Sequence, residues 1–238
     1  MNTGSDIPHT EKHPNAVAHI LERAGAIAIF PGLMAVILLL ASGRLDWTWA
    51  WVYVGLHLAN LFIVGPTAMR TNPETVAERG EREMTEQSYD VGSAFFLLVV
   101  YVVLPLVAGL HVRLGWTSDL SVAWHLAGAA LLTVGLGLAA WAMMTNAYMW
   151  SPGVERGQTL CDTGPYRFAR HPAYLGVILQ ALAVPILLGS LWALIPGIAA
   201  AAFMIIATSS EDRMLQAELP GYRGYVRQVR YRLVPGIW

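Results

Sequence analysis

The sequence predicts an all-α protein that crosses a membrane about six times. Hydrophobic residues make up 55% of the 238-residue chain and charged residues only 13%, and the mean hydropathy is +0.49. Soluble domains carry about 25% charged residues, so much of this surface is expected to face lipid. Uncharged segments of about 20 residues, the length that spans a bilayer core as a helix, recur along the chain.

The first two regions are a polar tail and a four-helix membrane region. Residues 1–23 lack the pattern of a secretory signal and are interpreted as a tail that ends in an interfacial turn. Residues 24–145 hold four apolar segments and, at 70–91, the most charged stretch of the chain. We interpret that stretch as a cytoplasmic amphipathic loop, and we predict membrane helices at 24–42, 47–69, 92–112 and 121–145.

The third region, residues 146–238, begins with a long polar loop. Two apolar arms follow at 173–188 and 191–207, joined by the turn signal Gly189-Ser190. Each arm is short for a span, so the sequence predicts a short helical hairpin as the last two membrane helices. From Ser209 onward the chain is polar again and fits an interfacial amphipathic helix that breaks at Pro220-Gly221.

Basic residues predict how the chain is oriented. With six spans, all but Arg44 and Arg113 of the 15 Lys and Arg residues fall on the side that holds both termini. Because Lys and Arg are enriched on the cytoplasmic side, both termini are predicted to be cytoplasmic. Lys12 is the single lysine, a bias typical of GC-rich genomes, so a bacterial inner membrane is expected.

Composition argues against several other classes of function. The net charge of −1 gives no global field for nucleic acid. Cys161 is the single cysteine and the seven histidines are scattered, so neither a disulfide framework nor a metal site is predicted. His57 and His125, which fall in or beside predicted spans, are interpreted as a structural and an interfacial residue. No phosphate-binding glycine motif is present.

One polar stretch between apolar segments stands out. Residues 164–176 read GPYRFARHPAYLG, with the basic residues Arg167, Arg170 and His171. If the hairpin folds back, this stretch meets the acidic pair Glu211 and Asp212 at one mouth, which suits a zwitterionic ligand because Arg binds carboxylates and carboxylates bind amines or diols. Interfacial anchoring with a structural ion pair is the alternative.

The stretch resembles a known family. Its Arg-His-Pro-x-Tyr-x-Gly pattern, followed by an apolar hairpin and an acidic pair, resembles the isoprenylcysteine carboxyl methyltransferases and the related phospholipid methyltransferases. The resemblance covers roughly residue 146 to the end. The family usually has Glu-Glu at the acidic pair, so Asp212 departs from it by one methylene.

The resemblance implies an integral membrane methyltransferase that uses S-adenosylmethionine and a lipid-like or prenylated acceptor entering laterally from the bilayer, possibly the carboxylate of an isoprenylcysteine. Arg170 would hold an acceptor carboxylate, with Arg167 as second choice; for an amine or thiol, His171 or Glu211 would be the base. The implied cofactor-binding residues are Tyr166, Arg167, Arg170, His171, Pro172, Tyr174, Leu175, Gly176, Glu211, Asp212, Tyr222 and Tyr225.

Two other functions stay open at this point. A sterol-reductase-like enzyme that uses NADPH has a related C-terminal region, although no basic residue stands out for a 2′-phosphate. A non-catalytic membrane scaffold or accessory protein could keep the same fold without the chemistry.

Overall fold

The computed structural model describes residues 29, 31–73, 75–76, 97–116, 120–148, 153–154 and 157–238. Over these residues the protein is all-helical and contains no strand, as predicted. The helices are α1 (Pro31–Ser42), α2 (Thr48–Thr71), α3 (Val99–Leu114, whose first turn Val99–Val103 is a π-helix), α4 (Val122–Thr145), α5 (Pro172–Leu188), α6 (Leu194–Glu218) and α7 (Tyr222–Gln228). A short 3-10 helix, Gly164–Arg167, precedes α5.

Three of the described helices, α2, α4 and α6, are long and apolar enough to cross a membrane. The second and fourth predicted spans are therefore confirmed. The described parts of α1, α3 and α5 are shorter apolar helices, so the count of six spans is not confirmed. The polar tail 1–23, most of the charged loop and the first residues of the first and third predicted spans lie outside the described residues.

The prediction of a short second hairpin arm was wrong. That arm is the first part of α6, which continues for 25 residues to Glu218. The residues after Ser209 are more polar than those before it, but most of them favour helix. Because no Pro or Gly occurs between Ser209 and Pro220, the helix continues. The predicted break at Pro220-Gly221 is confirmed, since Gly221 adopts a left-handed φ of 83°.

The closest helix packing joins α4 to α5, which run antiparallel. Gly135 and Gly176 meet where the two backbones approach: a Cβ on Gly176 would lie 2.7 Å from both the Gly135 oxygen and the Ala139 nitrogen. Small residues allow membrane helices to approach in this way. Helix α6 packs on the other side of α5, where a Cβ on Gly197 would lie 2.6 Å from the Ala181 oxygen. These contacts bring α4, α5 and α6 into close packing.

Two histidines have structural roles in this bundle. His125 was expected at the interface, but it is buried where α4 begins: its Nδ1 donates to the Leu187 oxygen over 2.7 Å, and its ring stacks on Trp49 with centroids 4.4 Å apart. The side chain thus joins α2, α4 and α5. His57 is also buried and donates from Nδ1 to the Tyr53 oxygen within its own helix, which fits the structural role expected for it.

Candidate active site

A cavity opens at the end of the bundle where α4 ends, α5 begins and α6 ends. Its empty volume is about 570 Å³, including the part that is open to solvent. It is bounded by side chains from these helices, from α7 and from the loop before α5. The lining residues are Asn146, Tyr148, Gln158, Thr159, Leu160, Cys161, Tyr166, Arg170, His171, Ala173, Tyr174, Glu211, Leu215, Leu219, Tyr222 and Tyr225.

The polar stretch before α5 is held in place by prolines and by the C-terminal tail. Pro165 lies in the first turn of the 3-10 helix, and Pro172 begins α5, a position where the missing N–H costs nothing. Between them, the Arg170 amide donates to the Tyr231 oxygen over 3.0 Å and the His171 amide to the Arg232 oxygen over 2.8 Å. The tail therefore fixes the backbone from which Arg170 and His171 extend.

Asp212 is the centre of a buried polar network. Its carboxylate has no solvent exposure. Arg170 binds both of its oxygens, Nε to Oδ1 over 2.7 Å and Nη2 to Oδ2 over 3.0 Å. Arg232 donates to Oδ2 over 2.9 Å and the Tyr222 hydroxyl to Oδ1 over 3.0 Å. A buried carboxylate with this many donors is fully satisfied inside the protein.

Four of the five N–H groups of the Arg170 guanidinium bind protein acceptors. Besides Asp212 the guanidinium binds the carbonyl oxygens of Val229 and Arg230, which accept from Nη1 over 2.8 and 2.7 Å. Burial by itself lowers the pKa of Arg170. The hydrogen bonds to Asp212 and its negative charge raise the pKa by more than burial lowers it, so the net shift is upward and the guanidinium stays charged. Arg170 touches the cavity, yet these four hydrogen bonds are all made to protein acceptors.

Glu211 has the opposite environment from its neighbour. Successive residues of a helix point about 100° apart, and here the two neighbouring carboxylates have different surroundings. Glu211 lines the cavity, and 29% of its side chain is exposed. The Tyr174 hydroxyl donates to Glu211 Oε2, and His171 Nδ1 lies 3.9 Å from Oε1. The rings of His171 and Tyr174 stack in parallel, 5.6 Å apart. Glu211 is therefore the accessible carboxylate of the described cavity wall.

Helix α7 closes the cavity with two tyrosines. The Tyr225 hydroxyl donates to the Tyr166 oxygen over 2.6 Å, which ties α7 to the 3-10 helix. Burial raises the pKa of both Tyr222 and Tyr225, and for Tyr222 the nearby charge of Asp212 raises it further. Both phenols thus remain protonated and act as donors toward the protein.

The structure brings most of the predicted site residues to this cavity. Those that line it are Tyr166, Arg170, His171, Tyr174, Glu211, Tyr222 and Tyr225. The remaining ones lie elsewhere. Arg167 is exposed outside the cavity, and Pro172 and Gly176 are buried in helix packing. Leu175 packs against the main core, and Asp212 lies behind the wall.

Several lining residues were missed by the sequence reasoning. Four of them belong to residues 158–161, an irregular segment without a motif or a hydrophobic period. Leu215 could have been predicted from Glu211, because it lies one helical turn later on the same side of the helix. Cys161 drew attention only as the single cysteine. Burial raises the pKa of its thiol, which keeps the thiol protonated at neutral pH.

Apolar helices of membrane-spanning length and a polar cavity at one end of the bundle define a membrane protein with a candidate active site. Residues 123–219 match the model of the phospholipid methyltransferase family. This match confirms the resemblance to the membrane methyltransferases, and methyltransferase activity is what that family implies in general. The match begins in α4, earlier than the resemblance seen in the sequence, and ends before α7. No curated protein is significantly similar to the chain.

Proposed function

We propose that the protein is an integral membrane methyltransferase that uses S-adenosylmethionine and methylates a lipid-like acceptor in the cavity beside Glu211. One observation carries the proposal. Within the segment that matches the methyltransferase family, one of two adjacent carboxylates faces an aromatic cavity while the other is neutralised by arginines. An accessible carboxylate in an otherwise satisfied wall is suited to bind a positively charged ligand.

The chemistry of the cavity fits S-adenosylmethionine. The ligand carries a sulfonium and an ammonium group, and the cavity offers the Glu211 carboxylate and the rings of Tyr166, Tyr174 and Tyr222. Aromatic faces attract cations. When bound, the cofactor supplies a methyl group on a sulfonium, which is already activated for transfer.

The hydrogen bonds of Arg170 help to decide which chemical class of acceptor the cavity can bind. An acceptor carboxylate, as in an isoprenylcysteine, would need a donor group to hold it, and Arg170 was the expected one. Because its guanidinium binds Asp212 and two carbonyl oxygens, it has little capacity left for a substrate. Among the described lining residues no other guanidinium is present. We therefore favour an acceptor that carries a proton, a lipid amine first.

The residues that line the cavity have different roles in the proposed methyl transfer. With S-adenosylmethionine bound as the methyl donor, Glu211 or His171, which lie side by side, would take the proton that the acceptor nitrogen loses on methylation. Hydrogen bonding to Tyr174 holds the Glu211 carboxylate in one orientation. Tyr222 and Tyr225 exclude water from one side of the cavity. Alignment and exclusion of water supply most of the rate in such a reaction.

The two alternative functions receive less support. A reductase that uses NADPH needs basic groups for a 2′-phosphate, and the arginine that lines the described cavity is occupied by Asp212. A scaffold without chemistry gives no reason for an accessible glutamate beside a histidine in an aromatic cavity. The lipid substrate would enter from the bilayer, and the cofactor from the cytoplasmic side that the arginine distribution predicts.

Cys161 allows the cofactor to be tested directly, because it is the chain's single cysteine and lines the cavity. We expect S-adenosylhomocysteine to bind the purified protein in detergent and to slow alkylation of Cys161 by iodoacetamide. Glu211→Gln should lose both effects. Glu218→Gln, on the exposed face of the same helix and outside this cavity, is the matched control and should keep them. Absence of binding and of protection in the unmodified protein would refute the proposal.

The acceptor is tested by transfer of a radiolabelled methyl group to membrane lipids and to prenylcysteines. Label on a lipid amine survives mild base, whereas label on a carboxyl ester is released by it. We expect base-stable label in the lipid fraction. Base-labile label on a prenylcysteine would instead support a carboxylate acceptor. It would contradict the conclusion that Arg170 has little capacity left to bind a substrate.

A further inference from the structure

Helix α7 and the tail after it carry an exposed arginine face that the cavity does not use. On α7, Tyr222 and Tyr225 are buried toward the cavity, while Arg223 and Arg227 are exposed on the other side. Arg230 is exposed in the tail. Between Leu219 and Trp238 the chain has no acidic residue. The helix is thus amphipathic, and the charged residues of its exposed face are all basic.

Arg167 adds to this face through the backbone pairing of two segments. The bonds from Arg170 to Tyr231 and from His171 to Arg232 place the tail beside the stretch that precedes α5. Arg167 and Arg230 each lie a few residues from that pairing, and both are exposed. We call Arg167, Arg223, Arg227 and Arg230 the arginine face.

The charges of the arginine face are not neutralised within the described part of the protein. None of its four members forms an ion pair with a described acidic residue; the exposed Asp162 and Glu218 both remain beyond ion-pair distance of them. Arg223 donates from Nε to the Gln216 oxygen, whereas Arg167, Arg227 and Arg230 have no side-chain hydrogen bond to described residues. Arg232, by contrast, is used by Asp212 and lies over Trp238.

Exposed apolar side chains accompany the arginines. Phe168 follows Arg167 and is 61% exposed, Tyr231 follows Arg230 and is 37% exposed, and Ile237 is 81% exposed. Basic residues beside exposed aromatic and aliphatic ones are typical of segments that lie in the headgroup region of a membrane. The position agrees, because α7 begins four residues after Glu218, where the membrane-length helix α6 ends.

We propose that the arginine face binds the headgroups of anionic phospholipids. The arginines would contact the phosphates while Phe168, Tyr231 and Ile237 enter the interface. This proposal does not depend on methyl transfer, because the arginine face lies outside the cavity. Each basic residue near an anionic lipid surface contributes about 1 kcal/mol, which corresponds to about a five-fold change in affinity.

The test measures lipid binding to the purified full-length protein in a neutral detergent. Phosphatidylglycerol and phosphatidylcholine with the same acyl chains are titrated separately, and bound lipid is counted by native mass spectrometry. The variant is Arg227→Gln/Arg230→Gln. The matched control is Arg44→Gln/Arg113→Gln, which removes the same charge near Gly43, at the end of the bundle where α4 begins. All four positions are exposed, so unchanged thermal unfolding is expected.

We expect the unmodified protein and the control to prefer phosphatidylglycerol, and the variant to bind it about 20- to 30-fold more weakly. An unchanged preference in the variant, or an equal loss in the control, overturns the proposal. A third arm adds inorganic phosphate at the concentration of the lipid. Displacement of the lipid by phosphate would identify a site for soluble anions and would also overturn the assignment to a membrane surface.

Discussion

The side chains of Asp and Asn have nearly the same shape. Replacing Asp212 by Asn is nevertheless expected to destabilise the fold strongly. The carboxylate is fully buried and accepts bonds from Arg170, Arg232 and Tyr222. In Asn one oxygen becomes an NH₂ group, which would point a donor at these donors and leave a buried guanidinium without its counter-charge. Removing one partner of a buried ion pair costs about 3–5 kcal/mol.

For a chain of this size that cost corresponds to an unfolding temperature about 6–20 °C lower. The measurement is the loss of helical circular dichroism in detergent at a fixed heating rate, because unfolding of such proteins is often irreversible. Glu218→Gln, an exposed change on the same helix, is the control and should shift the midpoint by no more than about 2 °C.

Two outcomes would show that the reasoning is wrong. If Asp212→Asn unfolds within about 2 °C of the unmodified protein, the carboxylate is not the centre of the network. The pair Arg170→Gln and Asp212→Asn adds a second criterion. Residues in one network are non-additive, so the double variant should lose less stability than the sum of the single ones. Strict additivity would mean that the two side chains act independently.

Two further predictions follow from the packing and from the tyrosines. Gly176→Ala should lower stability by about 1–3 kcal/mol, because its Cβ would meet the α4 backbone at 2.7 Å, whereas Gly137→Ala, with open space around it, should be neutral or stabilising in the same thermal assay. The raised pKa of Tyr222 stabilises the fold fully below pH 10 and progressively less as pH rises toward its folded pKa. The stability of Tyr222→Phe, followed by denaturation between pH 8 and 11, should therefore fall less steeply above about pH 10 than that of the unmodified protein; equal slopes would contradict this.

The sequence predicted the structure correctly where a single physical requirement determined it. Uncharged runs predicted α2 and α4 because lipid burial requires such lengths. The hairpin brought Glu211 to Tyr174 and His171 across a long sequence separation, as its antiparallel arms require. Residues 158–161 could not be placed on the cavity in this way, because an irregular segment has no period from which a facing side can be derived.

The end of α6 was missed because polarity was used as a sign that a helix stops. Helices stop where hydrogen bonding or φ becomes incompatible, and here that point is Pro220-Gly221. Once α6 is continued through Glu211 and Asp212, the 100° step between neighbours predicts that the two side chains point in different directions. The sequence therefore held enough information to separate the two carboxylates, but not to decide which of them faces the cavity.

Asp212 is the position at which the chain departs from the Glu-Glu pattern of the family it resembles. Asp212 meets Arg170 with both oxygens, at 2.7 and 3.0 Å, in a space with no exposure to solvent. A glutamate would add one methylene to a side chain that already binds Arg170 in a fully buried space. The role of Asp212 is to hold Arg170 and the tail. Glu211 keeps the full length, which lets it reach Tyr174 and, in the proposed function, the ligand.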